Sequence, residues 1–346
     1  MAVGTAIIDD DGEDVSSRGR ILLFDVKATK NDSFGAEINL VYDKDISMGP
    51  VTILHTLDSQ SCSRLLVGAG NEITVEQWGG GKLTQVGFFH CQMQVQEITV
   101  LKNFLLLSDA LEGISFLVWR ESDKSLTLLA KDYDPTIVYA SGMISRAASL
   151  SFICHDDRQN LQFFSYAPGE LAARGGNKLV CRADIHLGSE TTSLQNHLCR
   201  SSLIINSANE VSTIAALKLQ DSFYGKGDDD VRFAVHYGTS DGGYGTISPI
   251  NENIYWRLTA LQSVMSNALE SDCALSHRSW RLYRRTTKRG SCKNNDRKKG
   301  VVDGDLVLKY SNMSISEQED LASSIGSTVD LILDNLLEIS CAASVL

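Results

Sequence analysis

Residues 65–78 read LLVGAGNEITVEQW: an apolar run, a polar turn at Gly70-Asn71, then a second run in which Ile73 and Val75 alternate with Thr74 and Glu76. Alternation with period two marks a strand, so the stretch is predicted to be a β-hairpin. The same plan recurs at residues 104–119 (FLLLSDALEGISFLVW), 150–166 (LSFICHDDRQNLQFFSY) and 233–250 (FAVHYGTSDGGYGTISPI). The starts lie 39, 46 and 83 residues apart. The first two intervals fit a four-stranded propeller blade of about 40–50 residues. The third is expected to contain an insertion, because residues 209–230 hold the polar tract Tyr224-Gly-Lys-Gly-Asp-Asp-Asp230, suited to a surface loop.

Outward from these hairpins, residues 20–250 carry more than a dozen short β-type runs, among them 21–26, 51–57, 95–100 and 126–129, with no 3.6-residue period between them. Such a succession implies an antiparallel sandwich, barrel or propeller, and the repeat selects the propeller. After residue 250 the period changes. Ile254, Leu258, Leu261, Val264, Met265 and Leu269 line one face of a helix. Ser316-Glu317-Gln318-Glu319 fits a capping box with Ser316 as cap, opening a helix that ends near Gly326. A last helix from Ser327-Thr328 carries an apolar stripe of Val329, Ile332, Leu333, Leu336 and Leu337. The expected fold is all-β with a C-terminal α domain: a partial β-propeller of about 4–5 WD40-like blades over residues 1–250, then a small helical domain over 251–346. So few blades leave an incomplete ring, and the chain is expected to be part of a longer protein.

Composition narrows the functional classes. The chain has 346 residues, 43% hydrophobic and 22% charged, with a net charge of -11 and four prolines, which excludes a disordered or proline-rich chain. The acidic residues Asp9, Asp10, Asp11, Glu13 and Asp14 are the opposite of a basic signal peptide, so an intracellular setting is expected. The eight cysteines show no CxxC spacing and are expected to be reduced, mostly small core residues.

Enzyme chemistry finds no foothold. His90-Cys91 and Cys154-His155 are adjacent on strands, so their side chains point to opposite faces and cannot share one ion. Gly79-Gly80-Gly81-Lys82 lacks the Ser or Thr of a phosphate loop and is predicted to be a hairpin turn. Asp109 and Asp156 sit where blade turns need capping oxygens. No catalytic residue, metal site or cofactor is expected. Residues 328–340 hold no Lys or Arg, so the last helix is expected to pack, not to read DNA. The stretch 278–299 differs, with ten basic residues against the single acid Asp296. A solvated loop, an RNA or acidic-partner contact, and a nuclear import signal all fit it. Its candidate contact residues are Arg281, Arg284, Arg285, Lys288, Arg289, Arg297, Lys298 and Lys299.

Several segments then resemble one family. Residues 12–26 (GEDVSSRGRILLFDV), 49–52 (GPVT), 101–105 (LKNFL), 182–188 (RADIHLG), 241–245 (DGGYG), 302–306 (VDGDL) and 325–338 (IGSTVDLILDNLLE) are similar to the C-terminal portion of the large triple-propeller family. That family includes the largest subunit of the cleavage and polyadenylation specificity factor, the large subunit of the DNA-damage-binding ubiquitin-ligase adaptor, and a propeller subunit of the branch-site splicing complex. The likeness is strongest to the polyadenylation subunit and runs from about residue 3 to 340. It implies a non-catalytic nuclear scaffold of pre-mRNA 3′-end processing, held in a hetero-oligomeric complex with WD-repeat and zinc-finger subunits. RNA contact is expected to be secondary, and since no stretch approaches the roughly 18 uncharged apolar residues of a membrane helix, no membrane partner is expected. A cullin-ligase adaptor and a splicing scaffold are the alternatives within the same fold. The stretches 209–230 and 288–299 look expanded relative to the family, so no contact there is carried over from it.

Overall fold

In the computed structural model the described residues are 1–7, 18–28, 36–58, 63–134, 136–146, 149–198, 233–269, 276–281 and 300–343. Their strands form five antiparallel meanders. β1 (Ala2–Ile7), β2 (Arg18–Ala28) and β3 (Ala36–Ile46) make the first, in that order. β4 (Val51–Asp58), β5 (Ser63–Ala69), β6 (Glu72–Gly79) and β7 (Lys82–His90) make the second, and β8 (Val95–Leu101), β9 (Phe104–Asp109), β10 (Gly113–Arg120) and β11 (Ser125–Lys131) the third. β12 (Val138–Arg146), β13 (Ser149–Asp156), β14 (Asn160–Ser165) and β15 (Val180–His186) follow as the fourth, and β16 (Thr191–Leu198), β17 (Phe233–Thr239) and β18 (Tyr244–Ile247) as the fifth. These are the blades of the partial propeller expected from the sequence. The repeated segments are adjacent strand pairs within successive sheets: β5–β6, β9–β10, β13–β14 and β17–β18. β16 pairs directly with β17, from Thr191↔Thr239 to Leu198↔Phe233. The long third interval therefore opens inside one blade, and its polar tract lies outside the described residues.

The chain divides into two compact units. The first comprises Met1–Met143, Cys154–Asp157 and Tyr166–Val180; the second comprises Ile144–Ile153, Arg158–Ser165 and Cys181–Leu346. In the first unit the second sheet is covered on both faces. Leu66, Ile73 and Val75 join Val95, Leu105, Leu107, Leu117 and Trp119 of the third sheet in one cluster. Val67, Ala69 and Leu83 join Ile21 and Val51 in another. Coverage on both sides explains why β5 reads as a continuous apolar run instead of an alternating one. Each fully buried aliphatic side chain contributes roughly 1.5–3 kcal/mol. Asp109, buried in this unit, accepts from the backbone amides of Leu111 (2.9 Å) and Met93 (3.1 Å), the turn-capping role expected of it. Gly80 and Gly81 take φ of 61° and 78° between β6 and β7, the predicted hairpin turn. Cys91 and Cys154 are buried, and burial, aided by the Asp109 carboxylate, pushes the Cys91 thiol up to about 12.

In the second unit, α1 (Glu252–Ala268) buries Ile254, Leu258, Leu261 and Met265, the face expected from the sequence. They pack with Leu306, Val307, Tyr310, Leu321, Ala322, Ile332 and Leu336. Those residues come from α3 (Gly304–Val307), the 3₁₀ turn Leu308–Asn312, α4 (Ile315–Ser324) and α5 (Val329–Ala343). Two details differ from expectation. The capping box is Ser314 with Glu317, two residues earlier than predicted. That start turns Gln318 inward, where its side-chain amide donates to Tyr310 O (2.9 Å) and its backbone carbonyl accepts from Tyr310 Oη (2.8 Å). Leu337 is 60% exposed, because the buried face of α5 centres on Ile332 and Leu336, about 120° away around the helix. Among the described residues, no helix is long and apolar enough to cross a membrane.

Gly19, in the RGRI segment, leaves no room for a side chain: a Cβ there would stand 2.6 Å from Thr5 O and 2.8 Å from Val51 N. Gly19→Ala should lose about 1–3 kcal/mol in urea unfolding, while Gly79→Ala, with open space around it, should stay within about 0.5 kcal/mol. A second prediction concerns Glu97, which accepts from Ser141 N at 2.5 Å and whose burial pushes its carboxyl up to about 7. The folded state then holds the proton more tightly than the unfolded chain, so wild-type stability falls as pH rises from about 4.5 to about 7 and is flat above. Glu97→Gln should remove that slope, improving relative to wild type by roughly 2–4 kcal/mol across the window.

Candidate interaction site at the ends of the basic stretch

Arg281 closes α2 (His277–Arg281) and is the one residue of the predicted contact set among the described residues; Arg284, Arg285, Lys288, Arg289, Arg297, Lys298 and Lys299 lie outside them. A five-residue helix is far below the length that persists by itself in water. Tertiary contacts must hold it. His277, Trp280 and Arg281 sit at i, i+3 and i+4, so they share one face. Arg281 donates through all three of its nitrogens: Nε to Asp303 Oδ2 at 2.6 Å, Nη2 to Asp303 Oδ1 at 3.3 Å and Asp305 Oδ2 at 2.6 Å, and Nη1 to His186 O at 3.1 Å. Its side chain is only 12% exposed. The planar fork suits Arg to this task, where Lys would offer one point charge.

Asp303 is the hub, 5% exposed. Its carboxylate also meets His277 Nε2 at 2.5 Å and caps α3 by accepting from Asp305 N at 3.1 Å, while its own amide donates to Gln262 Oε1 of α1 at 2.8 Å. Trp280 covers the cluster. The Arg281 guanidinium carbon lies 4.1 Å from its ring centroid, and the His186 ring meets it edge-on at 6.0 Å. A Cβ at Gly188, where φ is +84°, would come within 3.0 Å of the same ring. His186 is held in turn by Asn160 Oδ1 at 3.0 Å from its Nδ1. Burial pushes the nearby Tyr237 hydroxyl above its ordinary range; the Asp305 and Asp303 carboxylates add to the rise and Arg281 opposes it.

Residues 182–188 and 302–306, read from the sequence only as likeness-bearing segments, therefore meet here on α2. The downstream end of the basic stretch is also tied, since Gly300 N donates to Tyr255 Oη of α1 at 2.8 Å. Arg281 thus acts as an anchor, its guanidinium taken up by Asp303, Asp305 and the His186 carbonyl. Sequence reasoning missed His277, Trp280, Asp303 and His186. The available signals were the His-x-x-Trp-Arg spacing and an Asp one residue before α3, the ordinary N-cap choice. Among the described residues no group of three His, Cys, Asp or Glu side chains is placed to hold a metal ion.

The family model described as "CPSF A subunit region" matches residues 1–312. A protein of Oryza sativa subsp. japonica named "Probable cleavage and polyadenylation specificity factor subunit 1" is 33% identical over 346 residues, covering 100% of this chain and 22% of the relative. The Arabidopsis thaliana protein "Cleavage and polyadenylation specificity factor subunit 1" is 30% identical, with 100% and 22% covered, and the Drosophila melanogaster protein of that name is 28% identical, with 96% and 21% covered. The chain spans about a fifth of the length of these relatives.

The cluster makes a sharp contrast between two neighbouring carboxylates. Asp303→Ala should cost about 3–5 kcal/mol, because it strands a mostly buried guanidinium and removes an N-cap. Asp305→Ala, at a side chain 81% exposed, should cost less than about 1 kcal/mol, both read by urea unfolding.

Proposed function

Because the chain belongs to the CPSF A subunit region family, we propose that it serves as a non-catalytic scaffold within the nuclear pre-mRNA 3′-end cleavage and polyadenylation machinery. The observation that carries this reading is the family match over residues 1–312, joined by relatives named as specificity factor subunits that align along the whole chain. The geometry supports a presenting role. Its blades supply rigid sheet surfaces, and the Asp303 cluster fixes α2 against α1 and β15 so that the basic stretch leaves from an anchored point. In this reading residues 1–250 form the propeller portion and 251–346 the helical portion, partner subunits dock on their surfaces, and RNA contact through the basic stretch is secondary.

The test is native isolation of the protein followed by mass spectrometry of co-purifying chains. Recovery of polyadenylation subunits is expected; recovery of a cullin or of branch-site splicing subunits in their place would overturn the reading. RNA contact has its own readout. Neutralising Arg284, Arg285, Lys288, Arg289, Arg297, Lys298 and Lys299 while keeping the anchor Arg281 should reduce the slope of log affinity against log salt. On single-stranded RNA the reduction is about 0.7 for each phosphate that the basic side chains had neutralised. An unchanged slope would remove RNA from the proposal.

A further inference from the structure

β3 ends the first sheet, and among the described residues no strand pairs with its outer side. The direction of its backbone groups follows from β2. The Phe24 amide donates to Met1 O at 2.8 Å and the Arg20 amide to Thr5 Oγ1 at 3.1 Å, so both point toward β1. Residues directly opposite in an antiparallel pair either turn their N–H and C=O to each other or both turn them away. Leu40 stands opposite Phe24 and Asp45 opposite Arg20, so both turn outward, and alternation adds Ile38 and Asp43. Their side chains are open as well: Ile38 and Leu40 are each 56% exposed, and the Asp45 side chain 80%. Such a row of free donors and acceptors is a template for a further strand.

The second sheet supplies a floor for that strand. β3 lies over β6, where the Tyr42 and Trp78 rings meet edge-on with centroids 5.4 Å apart and Lys44 Nζ reaches Glu76 Oε1 at 2.7 Å. β7 is one strand further out. Phe88 stands opposite Thr74 and Gln85 opposite Glu76, so both side chains are on the face that looks toward the first sheet. Phe88 is nevertheless 55% exposed, and Gln85 is exposed beside it. Strands lie about 4.8 Å apart within each sheet, so a strand added to β3 falls over β7 and covers Phe88.

The side chains along the edge select its chemistry. Asp43 and Asp45 share the single Arg20 guanidinium, at 3.6 and 2.9 Å, and Glu37 adds a third carboxylate; Lys44, the one base of β3, is already held by Glu76. The register skips Val41, and this bulge separates the acidic half of the edge from an apolar half at Ile38 and Leu40. We propose that the outer edge of β3 takes up one extended, basic segment of a partner protein as a fourth strand, with Lys or Arg beside Asp43 and Asp45 and apolar side chains on Leu40 and Phe88. Opposite charges across a strand pair attract and like charges repel. A second copy of this chain brings the same acidic edge and is repelled. The inference is independent of which complex the chain joins.

The test is hydrogen exchange on the full chain, resolved to single amides, with a capped heptapeptide alternating lysine and valine as the probe and the same peptide with glutamate for lysine as its acidic counterpart. Saturable binding in the millimolar range is expected. At ten times the Kd, exchange at Ile38, Leu40, Asp43 and Asp45 should slow about tenfold. The glutamate peptide should bind about tenfold more weakly. Leu40→Pro removes an outward amide and leaves the pairing with β2 in place, so it should weaken the lysine peptide about fivefold. Asp43→Lys combined with Asp45→Lys, both at exposed positions, should reverse the preference between the peptides and keeps the test valid if the proline variant unfolds. Absence of saturable protection on β3 would overturn the proposal, as would equal binding of the two peptides, unchanged binding by folded variants, or self-association that protects the same amides without peptide.

Discussion

Burial of one carboxylate organises the C-terminal half of this chain. Asp303 receives the Arg281 guanidinium, the His277 ring and the Asp305 amide on its side chain, and its backbone amide reaches Gln262. A carboxylate taken out of water is costly unless its oxygens are filled, and here each is. The same requirement fixes the rest. α2 cannot persist alone, Trp280 needs the glycine at 188 to lie flat over the cluster, and α3 begins where Asp303 caps it. The upstream end of the basic stretch is thereby tied, and the downstream end is held separately by the Gly300 amide on Tyr255 Oη.

In the first unit the governing constraint is coverage. A sheet buried on both faces has no side on which to place polar groups, so those it holds are conspicuous. Asp109 closes a turn, Glu97 reaches a backbone amide of β12, and Glu76 pairs with Lys44. The first two are satisfied inside the unit. The third is half satisfied: Oε1 takes the Lys44 ammonium at 2.7 Å, while Oε2 is buried without a donor among the described residues.

Much of this was legible in the sequence because the signals are periodic. The hairpin at residues 65–78, the glycine turn at 79–82 and the α1 face all rest on spacing that neighbouring residues impose. The capping box was misplaced by two residues because Ser314-x-x-Glu317 and Ser316-x-x-Glu319 are equivalent locally; only the tertiary bonds of Gln318 to Tyr310 choose between them. The Asp303 cluster was hidden for a related reason. His186, Arg281 and Asp303 are far apart in the chain, and nothing local says that they meet. Arg281 in particular looked like part of a solvated basic run, and the partners that claim it lie 22 and 95 residues away. The placing of Gln85 opposite Glu76 was equally unreadable, since it depends on a one-residue register shift.

If the Asp303 cluster holds α2 as part of one cooperative structure, hydrogen exchange on the full chain will show it. The Trp280 amide bonds to Ser276 O, the Val307 amide to Asp303 O and the Leu187 amide to Gln159 O. Groups that open together exchange at a common rate. These three amides are predicted to be protected and to exchange together. Free exchange at Trp280 beside sustained protection at Leu187 and Val307 would contradict the role given to Asp303.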